Sequence, residues 1–419
     1  MRRLATLISI MILTLSSPSM AQVDLPVDLP DLPDTPLTRP DSLLERADLR
    51  ALEEIENLRQ ETLDDLLRAN RDVLERGPQR SVVLRGEVIA IDPDETVLAA
   101  ILARGFTIIE DRTEGALGLR YLRLRAPGRM NAQRALRILR QIDPDGFFDL
   151  NHIYSPSGRA ITQAFSPPAQ LTGHAPVGMI DAGVPADSEV FLPGQVVTRA
   201  FRGDVVVPHD HGLQVAAIMV SGNGVIPGNR LFAADLYAGQ STGGATDSLI
   251  RALGWMAENE VRLVNISIVG PENIALEAAV RRFIAGGRLI VAAVGNDGAN
   301  ARPLFPAAYD PVIAVTGVDG RQRVLPEAIQ GHHVDFAARG MDMIWPSVSG
   351  TALPVRGTSF AAPIVTGYLS QLLTQQPNPD AALDALTGLA QDLGRRGKDR
   401  VYGHGLIGES WLRTVSARD

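Results

Sequence analysis

From Ala175 onward, short apolar runs alternate with longer segments whose apolar positions recur at helical spacing. The runs Val177–Ile180, Arg230–Tyr237, Val261–Ile268, Leu289–Val294 and Val312–Val318 predict strands buried on both faces. Gly212–Val220, Thr246–Glu258 and Asn273–Ala285 predict the intervening helices. The alternation predicts an α/β fold, with a parallel sheet covered by helices on both faces. In such sheets, function gathers at the C-terminal ends of the strands.

The pattern upstream is different. Ser81 to Tyr154 predicts strand Val82–Ile91, a helix opening at Asp92-Pro93 and ending near Gly105, and strands Phe106–Glu110 and Leu119–Leu124. A helix from Asn131 and a last strand, Phe147–Tyr154, follow, which makes a small α+β unit of order βαββαβ. Before it, Ser42 to Arg76 predicts one long amphipathic helix, opened by the capping box Ser42/Glu45 and stopped by Gly77-Pro78. Its stripe (Leu44, Leu52, Ile55, Leu58, Leu63, Leu66, Leu74) is irregular for a heptad, which favours a helix lying on its own protein over a coiled-coil arm. Val23 to Pro40 repeats Asp, Leu and Pro and predicts an extended linker. Met1 to Ala21 has Arg2-Arg3, a short apolar run and Ser19-Met20-Ala21, the layout of a secretory signal. Ser155 to Gly173 is polar, proline-containing and aperiodic, a natural place for a proteolytic cut. The expected division is a signal peptide (1–21), Pro-rich linker (22–40), helical arm (41–78), α+β unit (80–154), processing linker (155–173) and α/β unit (174–419).

Composition narrows the function. At 419 residues and 45% hydrophobic content, the chain can bury more than one core. It has no cysteine, which excludes disulfides, thiolate catalysis and cysteine-ligated metals. A net charge of −8 argues against a nucleic-acid partner. The arginines of the small unit (Arg120, Arg123, Arg125, Arg129, Arg134, Arg137, Arg140) are therefore read as a solvated face or a contact with an acidic partner surface. After the signal, no stretch approaches the length of a membrane span.

The candidate chemistry converges on Ser359. In Arg356-Gly357-Thr358-Ser359-Phe360-Ala361-Ala362-Pro363, a serine follows a glycine turn at the mouth of an apolar helix. There the unpaired N–H groups favour a developing oxyanion. Pro363 is expected in that helix's first turn. A serine needs a base and an orienting carboxylate to become nucleophilic. His211 opens a helix in His-Gly-Leu-Gln-Val-Ala-Ala, and Asp181 follows the strand Val177–Ile180. The order Asp, His, Ser is one of the three known for a catalytic triad. Asn296, after Gly295 at the end of another buried strand, can donate its amide to the oxyanion beside the Ser359 N–H.

These motifs resemble the subtilisin family (subtilases) of serine proteases from about Pro176 to the C-terminus. Asp181-Ala182-Gly183, His211-Gly212, Gly295-Asn296 and Gly357-Thr358-Ser359-Phe360-Ala361-Ala362-Pro363 match its motifs in order. Tyr402-Gly403-His404-Gly405-Leu406-Ile407 resembles its closing segment. The resemblance implies that Asp181 orients, His211 is general base and acid, Ser359 is the nucleophile and Asn296 the side-chain oxyanion donor. It implies substrate contacts at Ser267, Ile268, Val269, Gly270 and Gly295, and hydrolysis of polypeptides through an acyl-enzyme. The βαββαβ unit resembles the family's inhibitory propeptide. The expected protein is an exported precursor, periplasmic or secreted, that cuts itself and has its own N-terminal pro-region as intramolecular inhibitor.

Three positions depart from the family pattern. Ala182 replaces a hydroxyl residue, Leu213 a threonine, and Val269 a glycine beside the primary specificity pocket. The first two remove hydrogen bonds around the triad, and the third narrows the pocket. They keep open a second reading, a catalytically weak or inactive pseudoprotease that binds peptides. No cofactor is implied. His209 and His211 do not make a metal pair, because no third ligand sits at helical spacing. Calcium, which many relatives bind, is left unassigned, since Asp187, Asp204 and Asp210 form no compact oxygen-rich loop.

Overall fold

The computed structural model describes residues 63–156, 169–240 and 243–416. The first described unit runs β1 (Leu74–Arg76), β2 (Val82–Ile91), α1 (Glu95–Ala103), β3 (Thr107–Glu114), β4 (Leu119–Arg125), α2 (Ala132–Ile142) and β5 (Phe147–His152). From β2 onward this is the expected βαββαβ order. Asp94 and Asn131 start the two helices, accepting the Val97 and Arg134 N–H groups on their side chains. The antiparallel sheet runs β3-β4-β2-β5, with β1 also on β2.

Side chains of β2 alternate between two environments, as a strand's period of two requires. Val88 and Ala90 pack with Leu98, Ile101, Leu136 and Leu139 beneath the unit's own helices. Ile89 and Ile91 share a second core with Leu249, Leu253 and Phe283 of the following unit.

The helical arm differs from expectation where it is described. Positions 42–62 lie outside the described residues. Residues 63–69 are helical, but Leu74–Arg76 form a strand paired with Val82–Leu84. Leu74 is fully buried there with Leu63, Val82, Leu84 and Ile153. The sheet edge offers those residues backbone partners as well as burial, and it wins over helix propensity.

Two residues of the expected linker are also ordered as a strand, β6 (Ser155–Pro156). The larger unit then contains β7 (Val177–Asp181), β8 (Val196–Ala200), α3 (Asp210–Val220), β9 (Leu231–Asp235), α4 (Thr246–Glu258), β10 (Leu263–Ile266), β11 (Ile268–Val269) and α5 (Ile274–Ala285). It continues through β12 (Leu289–Ala293), β13 (Ile313–Val318), β14 (Val334–Arg339), the hairpin β15 (Met343–Pro346) and β16 (Ala352–Val355), α6 (Thr358–Gln375), α7 (Pro379–Leu389), β17 (Leu406–Ile407) and α8 (Glu409–Ser416).

Eight strands form one sheet in the order β17-β14-β13-β12-β10-β7-β9-β8. Every neighbouring pair is parallel. Along β12, Ile290 and Ala292 pack into the core of α4 and α5, whereas Leu289, Val291 and Ala293 pack into that of α3 and α6. The sheet is covered on both faces, as the continuous apolar strands require. The strand order reverses between β7 and β10, where a doubly wound sheet leaves a crevice at its C-terminal edge. Among the described residues, no helix is long and apolar enough to cross a membrane.

The two units meet through buried polar contacts. Asp247, at the start of α4, is fully buried. It pairs with Arg123 at 2.8 Å, and with Arg202 and Arg251 at 3.3 and 3.8 Å. Burial alone would raise its pKa. The arginines Arg202, Arg123 and Arg251, with an Asn151 hydrogen bond, outweigh that and hold it below the usual carboxylate range. Asp149 accepts the Ile274 N–H at the start of α5, and the Asn273 amide donates to the Leu150 carbonyl.

Candidate active site

Asp181 is the last residue of β7 and is fully buried. Its Oδ1 accepts the His211 Nδ1–H at 2.6 Å and the Ala182 N–H at 2.6 Å. The bond to Nδ1 fixes the tautomer and leaves Nε2 as the basic nitrogen. Asp181 Oδ2 is buried and has no hydrogen-bond partner among the described residues. Ala182, the next residue, carries no hydroxyl that could donate to it.

His211 lies in the first turn of α3. The residue before that helix, His209, caps it by accepting the His211 N–H on its own Nδ1 at 3.1 Å. His209 is therefore the helix cap. Asp210 Oδ1 accepts the Val348 N–H at 2.7 Å, which pins the β15–β16 hairpin to the same helix end. The His211 ring is 4% exposed and packs against the Phe360 ring, with centroids 5.3 Å apart. That contact brings the imidazole to the residue next to Ser359. His211 Nε2 itself is buried without a hydrogen-bond partner among the described residues.

Ser359 is the second residue of α6 and is fully buried. Its Oγ donates to the Ser267 carbonyl at 3.0 Å. Pro363 is the sixth residue of the helix, not in its first turn as expected. It has no N–H to give the carbonyl four residues back, which is that of Ser359. Ser267 Oγ fills the gap, donating to the Ser359 carbonyl at 2.9 Å. Ser267 Oγ in turn accepts from Asn265 Nδ2 at 2.9 Å, and Asn265 Oδ1 accepts from Thr366 Oγ1 at 3.2 Å. A buried polar chain thus satisfies the helix where proline opens it.

Asn296 stands beyond β12, after Gly295 at φ 102°. A Cβ on Gly295 would meet Leu304 Cδ1 at 2.9 Å, so the turn is restricted to glycine on both conformation and space. Asn296 Oδ1 accepts the Thr358 N–H at 3.1 Å, and the Gly295 N–H donates to Thr358 Oγ1 at 3.2 Å. These bonds set the Asn296 amide beside the start of α6.

The expected strand Val261–Ile268 breaks at Ser267. β11 leaves the parallel sheet and pairs antiparallel with β6, Ile268 opposite Pro156 and Val269 opposite Ser155. Tyr154, just upstream, is fully buried. Its Oη donates to the Pro271 carbonyl at 3.0 Å, its N–H donates to the Gly244 carbonyl at 3.0 Å, and its carbonyl accepts from Tyr237 Oη at 3.1 Å. A Cβ on Gly270 would stand 2.2 Å from the Tyr154 ring. The segment 154–156 is therefore an extended peptide seated between two walls of the larger unit. Sequence reasoning identified one wall, Ser267–Gly270. It missed the other, Tyr237 and Gly244, where the glycine pair 243–244 was the available signal.

A model of the subtilase family matches residues 203–405. Subtilisin DY of Bacillus licheniformis is 30% identical over 251 residues, covering 55% of this chain and 88% of that protein. This chain belongs to the subtilase family of serine endopeptidases. The match to the family model begins after Asp181. The minor extracellular protease Epr of Bacillus subtilis (strain 168) is 27% identical over 261 residues, 59% of this chain, and the match spans only 40% of Epr's own length. Among solved structures, fervidolysin from Fervidobacterium pennivorans, described as a keratinolytic enzyme, has a TM-score of 0.65 at 18% identity, covering 79% of this chain and 61% of that one. The epidermin leader peptide processing protease of Staphylococcus aureus has a TM-score of 0.60 at 15% identity, covering 80% and 99%. Both structural likenesses concern the fold.

Proposed function

We propose that this chain is an exported serine endopeptidase, made as a precursor that its own active site processes. The observation that carries the reading is the buried Asp181–His211 bond, with the ring packed against the residue beside Ser359. In the reaction, His211 Nε2 takes the Ser359 Oγ proton as that oxygen attacks the peptide carbonyl carbon. The oxyanion that forms receives the Ser359 N–H and the Asn296 side-chain amide. His211 then gives its proton to the leaving amine, and water hydrolyses the acyl-enzyme by the same steps in reverse. Asp181 holds the Nδ1–H tautomer and stabilises the imidazolium.

The N-terminal region, residues 22 to about 168, acts in this reading as the inhibitor of its own catalytic domain. Support comes from β6, which lies along the strand Ile268–Val269 where an extended substrate would lie. The cut falls in the polar stretch that begins at β6, between about Ser155 and Pro168. Val269 Cγ1 stands 3.6 Å from the place of a Cβ on Gly295, a narrow gap that suits a small side chain before the cut. Export rests on the signal pattern at residues 1–21 and on likeness to a protease described as extracellular.

The pseudoprotease reading keeps one observation in its favour, the unpartnered Asp181 Oδ2 beside Ala182. Intact-mass measurement separates the two. Purified chain is expected to yield a fragment beginning between about Ser155 and Pro168, and Ser359→Ala to stay full length. Maturation of Ser359→Ala in the absence of other proteases would contradict self-processing.

A further inference from the structure

An ion pair bridges the two turns that carry Asn296 and Ser359. Arg356 stands three residues before Ser359. Its Nε lies 2.6 Å from Glu327 Oε1, and its Nη2 donates to Glu327 Oε2 at 2.8 Å, a bidentate pair of high geometric specificity. Arg356 Nη1 also donates to Met341 Sδ at 2.7 Å. The Glu327 side chain is only 9% exposed, so the pair is shielded from water on the carboxylate side.

Glu327 belongs to a segment laced along the Asn296 turn. Its carbonyl accepts the Gly298 N–H at 2.8 Å, the Ile329 N–H donates to the Gly295 carbonyl at 3.1 Å, and the Gln330 N–H donates to the Ala299 carbonyl at 3.2 Å. These backbone bonds grip the turn on both sides of Asn296. Across the seam, the 356–359 turn meets it through two neutral hydrogen bonds, from Thr358 N to Asn296 Oδ1 and from Gly295 N to Thr358 Oγ1, at 3.1 and 3.2 Å. Both are at the long end of the normal range. The Arg356–Glu327 pair adds a charge-assisted contact to that seam.

We propose that Arg356 and Glu327 are positioning residues for the oxyanion site. They hold the turn of Ser359 against the turn of Asn296, so that the Ser359 N–H and the Asn296 amide converge on one point. This rests on the reading of Ser359 as nucleophile and Asn296 as oxyanion donor. Donors that stabilise charge only in the transition state act on kcat and not on ground-state binding. Loosening the pair should therefore lower kcat and leave KM in place.

The test is a double-mutant cycle on the chain expressed full-length and left to mature, with the anilide of the tetrapeptide copying Tyr154–Ser157 as substrate and active sites counted by fluorophosphonate titration. Arg356→Ala is expected to lower kcat about tenfold with KM nearly constant, since a small misplacement of a catalytic group costs up to about a hundredfold. In an Asn296→Ala background the same substitution should change kcat less than about twofold, because the donor it positions is gone. Arg356→Lys, which keeps the charge but not the fork, should fall between, and it serves in the same cycle if Arg356→Ala folds poorly. Equal losses in both backgrounds, a kcat that does not move, or a KM that moves alone would overturn the proposal. An unaltered chain that leaves the anilide uncut overturns the triad reading, and this inference with it.

Discussion

Ser267→Ala tests how the helix that carries Ser359 tolerates Pro363. Ser267 and Ser359 are both fully buried. The substitution strips the Ser359 carbonyl of the Ser267 hydroxyl that donates to it at 2.9 Å, and Pro363 cannot replace that donor. It also takes the acceptor from Asn265 Nδ2, another buried group. An unsatisfied buried polar group costs about 1–3 kcal/mol, so the two together should destabilise the chain by about 2–6 kcal/mol. Urea unfolding of the Ser359→Ala precursor, which does not consume itself, reads this as a lower midpoint. The discriminating step adds Pro363→Ala. That change restores an N–H four residues beyond Ser359, and the helix can then satisfy the carbonyl itself. Ser267→Ala should cost at least about 1 kcal/mol less in the Pro363→Ala background, where the cost of losing proline is common to both chains and cancels. Strictly additive costs, or a Ser267→Ala penalty below about 0.5 kcal/mol, would refute the reasoning.

Two further outcomes follow from buried groups without partners. Ala182→Ser offers Asp181 Oδ2 a donor, and kcat on a chromogenic peptide is expected to rise about threefold through a better-held His211; a fall with unchanged stability would count against it. His152 is 4% exposed, its Nδ1 has no hydrogen-bond partner among the described residues, and burial lowers its pKa to about 4. With the folded pKa below the unfolded one, the unfolded state binds the extra proton between these values. His152 thus contributes full stability above pH 6.5 and loses it as pH falls toward 4, by about 3 kcal/mol in all. In the Ser359→Ala precursor, His152→Leu should flatten the urea midpoint between pH 7 and pH 4.5; an unchanged slope would show that His152 is not part of the acid response.

What the chain's pattern reveals follows how local the determinants are. The continuous apolar runs require a parallel sheet buried on both faces, and that is the observed fold. Asp181, His211 and Asn296 stand at strand or helix ends, and Ser359 in the first turn of its helix, because the glycine turns beside them are readable locally. Strands β8 and β14 escaped notice because Thr198, Arg199 and Asp335 break their apolar runs; Asp335 instead accepts the Ala314 N–H and pairs with Lys398. Leu74–Arg76 read as helix because its strand partner is supplied only by the folded sheet. Pro363 was misplaced for the same reason, since the hydroxyl that permits it lies far away in sequence, at Ser267. The Arg356–Glu327 pair is likewise a long-range contact with no local signature. Helix α7 was legible and passed over, since Asn378 caps it and Pro379 opens it.

The most direct measurement is the site of fluorophosphonate attachment in the matured chain. The account predicts a single adduct on Ser359, found by peptide mass spectrometry, and its loss in His211→Ala. Only a hydroxyl deprotonated by a neighbouring base reacts in this way. Labelling that is absent from the unaltered chain, or that persists undiminished without the imidazole, would contradict it.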